Sequence, residues 1–348
     1  MNYLKKNNLT VLIVTYSDRR KYLKRSLNSL KLFGNCLKNI VLVQNGVDYD
    51  LMSFLKKEIS LPLEIFHLII HKENTGSSGG FGDGIEEAKS LSGDFLFILD
   101  DDNVVPKQSI SNLQELSLKS LERAYDSRIA ISFYRPKHDQ DSLKFKRKFD
   151  FINKSYVKNT VVNFSIMHKF FKKRYFKKRV NPKNAELFFA PYSGLLIEKE
   201  LLKLVPPVFK DFYLYGDDTR LTSQLSYAGV KIISIECIFT KDLEQSWYQN
   251  KIEIKQQKNS IELFLTSKDQ QNMWRPFYTL RNEIYNSRTL HKKGNLIFYV
   301  NLFLLVLIPF FIYLPKNKNV LRNYKYYLKA IKDGYFGRLG KINEELFK

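Results

Sequence analysis

Phe95-Leu96-Phe97-Ile98-Leu99 runs without a polar residue into Asp100-Asp101-Asp102. Five apolar residues in a row predict a strand buried on both faces, as in a parallel sheet covered by helices. Three adjacent carboxylates at the end of such a strand repel one another, so packing alone does not favour them. A hard divalent cation removes that cost, because Mg²⁺ or Mn²⁺ takes carboxylate and phosphate oxygens together. Alternation along an extended segment lets Asp100 and Asp102 share one ion while Asp101 points elsewhere. A lone acidic triplet reads equally as a solvated turn or a helix cap. The apolar strand ahead of it shifts the balance towards a site.

The same pattern repeats upstream. Val11-Leu12-Ile13-Val14-Thr15-Tyr16 is a strand, followed by Asp18 and a helical spacing of Leu23, Leu27 and Leu30. Ile40–Val43 is a second strand closed by Gln44-Asn45-Gly46, and Leu63–Ile70 is a third. Strands alternating with helix-length segments predict an α/β fold with a mostly parallel sheet. In such sheets the ligand crevice lies at the carboxyl ends of the strands, where Asp18, Asn45, Asn74 and Asp100 all fall. Asn74-Thr75-Gly76-Ser77-Ser78-Gly79-Gly80-Phe81 leads into a helix. Glycines there, at 76, 79 and 80, let backbone N–H groups approach an anion. No Gly-Lys-Ser/Thr follows, so the loop is not a Walker A motif, and a plain surface loop is the competing reading. Further on, Asp217-Asp218 sits between the aromatic run Phe212–Tyr215 and a helical stretch. The pair suits a general base with its neighbour, or else a helix N-cap. Lys231–Ile235 is the last strand. From Trp274 onward the pattern is helical and aromatic.

Composition bounds the partners. The chain has 348 residues, with 57 Lys+Arg against 35 Asp+Glu, a formal charge of +22. That excess predicts a polyanionic partner: nucleic acid, an anionic membrane surface or a phosphorylated substrate. Two cysteines, Cys36 and Cys237, exclude a disulfide framework and a cysteine zinc site. Fourteen basic residues and one acid, Asp150, lie between Lys144 and Lys183. Near the N-terminus only Val11–Val14 is apolar, too short for an export signal.

Taken together, in this order, the motifs resemble inverting family 2 glycosyltransferases of the GT-A fold. The resemblance implies that Thr15 and Tyr16 make the first nucleotide contact and that Asn45 stands where the base is read. It places Asp100-Asp101-Asp102 at the metal-binding DxD position, with Asp101 counted among the donor-binding residues alongside Asn74, Gly76, Gly79 and Gly80. Ala190-Pro191-Tyr192-Ser193-Gly194 resembles the acceptor-side segment. Asp217-Asp218 resembles the acidic pair whose second member is the base. The Asn-x-Gly-x-x-Gly-Gly-Phe form, the triple aspartate and Trp274–Asn282 are most similar to the galactofuranosyltransferase branch. Three positions depart from that branch. Arg220 and Gln224 replace a Glu and an Arg, and Asp242 stands near the place of a metal-ligating His.

These readings imply a catalytic region over 1–245 with a basic insertion at 137–186, and a helical region over 246–348. The expected donor is a UDP-sugar, galactofuranose favoured over dTDP-rhamnose. Mn²⁺ or Mg²⁺ is held by Asp100, Asp102 and Asp242, and the acceptor is a lipid-linked glycan. A nucleotidyltransferase or a basic nucleic-acid-binding protein are the competing classes. No RNA- or DNA-binding signature accompanies the basic stretch, so no nucleic acid is expected. Residues 294–315 are free of charge for 22 positions, long enough to span a bilayer. Pro309 predicts a break or kink within that run. Nine basic residues in the tail 316–348 oppose a span under the positive-inside tendency. The expected location is therefore the cytoplasmic face of a bacterial inner membrane, peripheral or monotopic.

Overall fold

The computed structural model describes residues 8–136, 149–150, 157–162, 164–170, 177–178, 184–244, 260–270, 272–313 and 319–347. Most of the basic stretch 144–183, the 245/246 boundary and Pro315 lie outside the described residues. The strands are β1 (Leu9–Thr15), β2 (Leu37–Asn45), β3 (Phe66–His71), β4 (Phe95–Asp100), β5 (Asn103–Val104), β6 (Ile129–Tyr134), β7 (Phe149–Asp150), β8 (Lys177–Lys178), β9 (Asn184–Leu187), β10 (Leu195–Glu198), β11 (Lys231–Phe239) and β12 (Lys241–Asp242). Eight of them form one sheet in the order β3-β2-β1-β4-β10-β6-β11-β9. β3, β2, β1 and β4 run parallel, as do β6 and β11, while β10 and β9 are antiparallel.

Period-two alternation divides the apolar residues between two layers. Leu9, Val11, Ile13, Ile40, Leu42, Phe97 and Leu99 face one side. There they meet helices α1 (Arg20–Leu30), α2 (Leu51–Glu58), α4 (Lys107–Glu115) and α5 (Leu118–Tyr125). Leu12, Val14, Val41, Val43, Leu96 and Ile98 face the other, against α3 (Gly76–Ser90) and α6 (Asp217–Tyr227). The α/β fold with its mostly parallel sheet is thus as expected. β6 and the antiparallel β10 were not legible. β10 has four residues, and a turn at Gly194, with φ of +85°, sets its direction. The edge strand β9 ends at Leu187.

The glycine-rich segment is not the expected loop before a helix. From Gly76 onward it is the helix itself, α3. Glycines weaken a helix by about 1 kcal/mol each relative to alanine. Close approach to the sheet requires them here. A Cβ on Gly80 would lie 2.7 Å from Val14 Cγ1, and one on Gly84 2.3 Å from Leu12 Cδ1.

A third apolar cluster joins the C-terminal helices α7 (Ser260–Thr266), α8 (Trp274–Asn286), α9 (Asn295–Tyr313) and α10 (Asn319–Phe336). The expected effect of Pro309 is not a break: α9 is one helix with the proline inside it. Proline at 309 frees the carbonyl of residue 305. The Tyr327 hydroxyl donates to Leu305 O at 2.8 Å, and Tyr324 donates to Val306 O at 2.7 Å. Two tyrosines of α10 therefore replace the lost helix bond.

Gly84→Ala is expected to destabilise the protein by about 1–3 kcal/mol, the cost of overpacking. Gly82→Ala meets the flexible Lys210 side chain at 3.0 Å and should be far milder. Urea unfolding of the two variants measures the contrast.

Candidate active site

β4 delivers Asp100 to the carboxyl edge of the sheet, and the chain turns at once. Asp101 is buried, and Thr15 Oγ1 at the end of β1 donates to its Oδ2 at 2.8 Å. Arg19 Nε donates to both Asp101 oxygens, at 2.8 and 3.0 Å. The same guanidinium reaches Asp102 at 3.1 Å and Glu244 at 2.7 Å. Burial pushes the Asp101 carboxyl up to about 7 in spite of Arg19. Burial and then the charge of Asp100 push Asp102 up to about 6. Asp100 is raised by burial, against the pull of Arg135.

Asp242 reaches the site through β12, which pairs with β5 and sets Asp242 opposite Asn103. Buried Asn103 bridges the two acids, its Nδ2 donating to Asp102 Oδ1 at 2.9 Å and Asp242 Oδ1 at 3.0 Å. Ser193 donates to Asn103 Oδ1. Arg135, just past β6, donates to Asp242 Oδ1 at 2.7 Å. Asp242 Oδ2 is buried with no hydrogen-bond partner. Hard oxygen donors, mutual repulsion and an orphaned carboxylate oxygen fit a divalent cation held by one or two carboxylates and completed by phosphate oxygens. Among the described residues no three His, Cys, Asp or Glu side chains converge as a ready-made ligand set.

The second acidic pair opens α6. Asp217 is buried, and its Oδ1 accepts from Ser77 Oγ at 3.2 Å while its Oδ2 has no partner. Burial and the adjacent Asp218 push Asp217 up to about 8. Asp218 Oδ1 accepts from Thr219 N at 2.6 Å, and its carboxyl is also raised by burial. Burial raises both carboxyls and the neighbouring Asp218 raises Asp217 further, so the pair disfavours carrying two negative charges at once. The charge of Asp218 reaches Asp100, and Arg135 acts on both, so the two acidic groups lie within electrostatic range of each other. Half-buried Glu283 of α8 joins them, pushed up to about 7 by burial and by Asp218.

The predicted donor contacts divide. Tyr16 is half-exposed at the cleft, with the Arg19 guanidinium 5.1 Å from its ring centre. Asn45 is buried, and its Nδ2 donates to Gly76 O at 2.9 Å and Asn74 Oδ1 at 3.3 Å. Thr75 N donates to Asn45 Oδ1 at 2.9 Å. Asn45 and Asn74 thus bracket the entry to α3, with the donors of Asn45 occupied. Gly79 and Gly80 serve the packing of α3. Asp18 points to solvent and pairs with Arg20. Arg19, Arg135, Asn103, Glu244 and Glu283 were not singled out from the sequence. An arginine four residues past the β1 apolar run was the readable signal for Arg19. Arg135 follows a strand that was itself missed.

The mostly parallel α/β sheet, with an acidic end to β4 and a second acidic pair opening α6, is a fold of GT-A type. Residues 10–202, more than half of the chain, match the family described as Glycosyl transferase family 2. The chain belongs to that family. Among curated proteins no sequence matches it significantly. Similar solved structures include GalNAc-T7 with UDP, GalNAc and Mn²⁺, at 12% identity and a TM-score of 0.53, covering 93% of this chain and 55% of that one. S. aureus TarS 1–349 is similar at 12% identity and a TM-score of 0.46, over 95% and 82% of the two chains. The mannosyltransferase PcManGT from Pyrobaculum calidifontis, in complex with GDP-Man and Mn²⁺, gives 12% identity and a TM-score of 0.48 over 96% and 88%. At such identities the likeness to GalNAc-T7 speaks for the fold alone.

The raised Asp217 carboxyl has a consequence for stability. Its folded value of about 8 lies above the unfolded value near ~3.9. Its contribution is therefore full below pH ~4 and is lost as pH rises through about 8. The melting temperature of the metal-free protein should fall between pH 5 and 8.5, and Asp217→Asn should flatten that fall. An unchanged slope in the variant would mean that Asp217 is ionised in the folded protein.

Proposed function

We propose that the chain transfers one sugar, galactofuranose, from a UDP-linked donor to a hydroxyl of a lipid-linked glycan, with inversion at the anomeric carbon. The observation that carries this reading is the acidic end of β4, with Asp242 brought beside it by β12, together with the acidic pair that opens α6. Asp218 takes the acceptor proton as the hydroxyl oxygen attacks the anomeric carbon. The bond from that carbon to the diphosphate oxygen breaks on the opposite face, and UDP leaves with the electron pair. One displacement inverts the centre. A carboxyl raised towards neutral pH by burial suits a base that works there. Asp217, whose Oδ1 accepts from Ser77 Oγ, neighbours the base, and the pair disfavours two negative charges at once. Asp100, Asp102 and Asp242 are the residues that would hold Mn²⁺ or Mg²⁺, which would supply charge neutralisation for the departing diphosphate. Tyr16 offers a ring face at the donor side. The choice of galactofuranose rests on the resemblance of Asn74–Phe81, Asp100–Asp102 and Trp274–Asn282 to that branch.

The same reading places the enzyme on a membrane face. Leu296–Tyr313 is long and apolar enough to cross a bilayer, with a mean hydropathy of 2.5. Yet one stripe of α9, formed by Phe298, Asn301, Leu305 and Tyr313, is buried in the protein. Asn301 Nδ2 donates to Asn159 O at 2.9 Å within that contact. The opposite stripe is apolar and open, with Leu296 78%, Phe303 61% and Phe311 65% exposed. A helix held along one side by protein and bare along the other supports lying in the interface rather than crossing it. Lys292, Lys293, Arg322 and Lys325 flank it and would meet anionic headgroups, each worth about 1 kcal/mol near the surface.

Asp218→Asn should lower kcat by about 10²–10⁴ with the donor KM little changed, the usual weight of a general base. Asp102→Asn should instead lose Mn²⁺-dependent UDP binding, read by calorimetry. Turnover of dTDP-rhamnose but not of UDP-galactofuranose would refute the donor. A Leu296→Glu/Phe303→Glu variant should lose binding to anionic vesicles while keeping turnover of a soluble acceptor. Protection of residues 316–348 from protease inside sealed inside-out vesicles would establish a span instead.

A further inference from the structure

The turn that presents the acidic pair is strained and gripped from two sides. Tyr213 and Tyr215 have φ of +64° and +63°, and Gly216 has +85°. Left-handed backbone at non-glycine residues costs on the order of 1 kcal/mol or more each and persists only where the surroundings over-determine it. α8 supplies the surroundings. Asn282 Nδ2 lies 2.7 Å from Leu214 O, 2.8 Å from Tyr215 O and 3.2 Å from Phe212 O. Asn286 Nδ2 donates to Gly216 O at 3.0 Å. Arg281 Nη2 donates to Phe212 O at 3.0 Å, and its Nε donates to Asn282 Oδ1 at 2.9 Å. Its remaining arm, Nη1, donates to Gly340 O at 2.8 Å, while Gly340 N returns a bond to Asp211 O at 2.7 Å.

All three side chains are at most 1% exposed. Among the described residues no carboxylate is in salt-bridge contact with Arg281. A buried guanidinium spent on carbonyls is a poor way to pack α8 against α10, where an apolar side chain would cost less desolvation. From the other side, Ser78 N donates to Tyr213 O at 3.2 Å. Gly76 comes so close that a Cβ would lie 2.0 Å from Tyr213 O.

We propose that Arg281, Asn282 and Asn286 are positioning residues: they fix the Phe212–Gly216 turn and thereby aim Asp218 at the acceptor hydroxyl. The C-terminal helices are then part of the catalytic apparatus through the turn they hold. The inference rests on Asp218 being the base.

The test uses the full chain with UDP-galactofuranose turnover, and UDP with Mn²⁺ as the binding probe. Asn282→Ala should lower kcat about 10–100-fold per folded molecule, with UDP affinity within about threefold of the parent. Amide exchange over 212–218 should quicken at least about tenfold while β1 and β4 stay protected. In an Asp218→Asn background, Asn282→Ala should cost nothing further, because both changes remove one function. Arg281→Lys should retain more turnover than Arg281→Met. Should Asn282→Ala fail to fold, Asn286→Ala, which removes one bond to the turn, carries the same expectations. Unchanged kcat, or an equal loss in both backgrounds, overturns the proposal. Full turnover in Asp218→Asn alone overturns the base assignment beneath it, a result read in a different variant.

Discussion

The fork from Arg19 to Asp101 makes the acidic end of β4 compatible with a folded sheet. Three consecutive carboxylates at a strand end, with Asp242 and Glu244 arriving from the far side, would repel one another in a partly dry crevice. Arg19 reaches Asp101, Asp102 and Glu244 at once, and Arg135 reaches Asp242. Burial outweighs both guanidinium groups, since Asp100, Asp101 and Asp102 all stay raised. Two cations therefore hold the crevice together without neutralising it. The residual acidity is what a metal–diphosphate pair would find there. Beside this fork, the Thr15 bond to Asp101 ties the end of β1 to the residue that follows β4.

Much of this was legible because apolar runs and acidic strand ends are local signals. β1, β2 and β4 announce themselves as unbroken Val/Ile/Leu/Phe segments, and Asp100–Asp102 and Asp217-Asp218 follow from adjacency. What escaped was non-local. β10 has four residues and belongs between β4 and β6 only because its antiparallel pairing closes the sheet. Asn103 reads as a turn residue until β12 pairs with β5 and makes it a bridge between Asp102 and Asp242. That Asn45 also holds Asn74, Thr75 and Gly76 could not be read from a strand end, because those partners belong to the entry of α3. Pro309 predicted a break or kink because its cost is local, whereas its remedy, two tyrosine hydroxyls, comes from another helix.

Glycine in α3 illustrates how one residue type answers to two constraints. Gly80 and Gly84 let the helix lie close on β1. Gly76 lets the helix start touch the Phe212–Gly216 turn. α3 is thus the mechanical link between the sheet edge, where Asn45 fixes its first turn, and the acidic pair, where Ser77 bonds Asp217. A helix of better formers would be more stable alone and would hold these groups further apart.

The two halves of the chain accordingly divide the labour by the kind of rigidity each supplies. Sheet hydrogen bonds fix the backbone of Asp100 and Thr15 cooperatively, and the Arg19 fork then holds the acidic side chains beside them. The turn before α6 has no such ladder. Its carbonyls are satisfied by amide and guanidinium groups of α8, which the third apolar cluster anchors. That cluster also carries α9, whose bare apolar stripe is the surface proposed to meet lipid. A lipid-linked acceptor held at that surface and a base aimed by the same helices would share one frame of reference. Displacement of the frame relative to the sheet would then alter the distance between acceptor hydroxyl and donor carbon without disturbing the relation of hydroxyl to base.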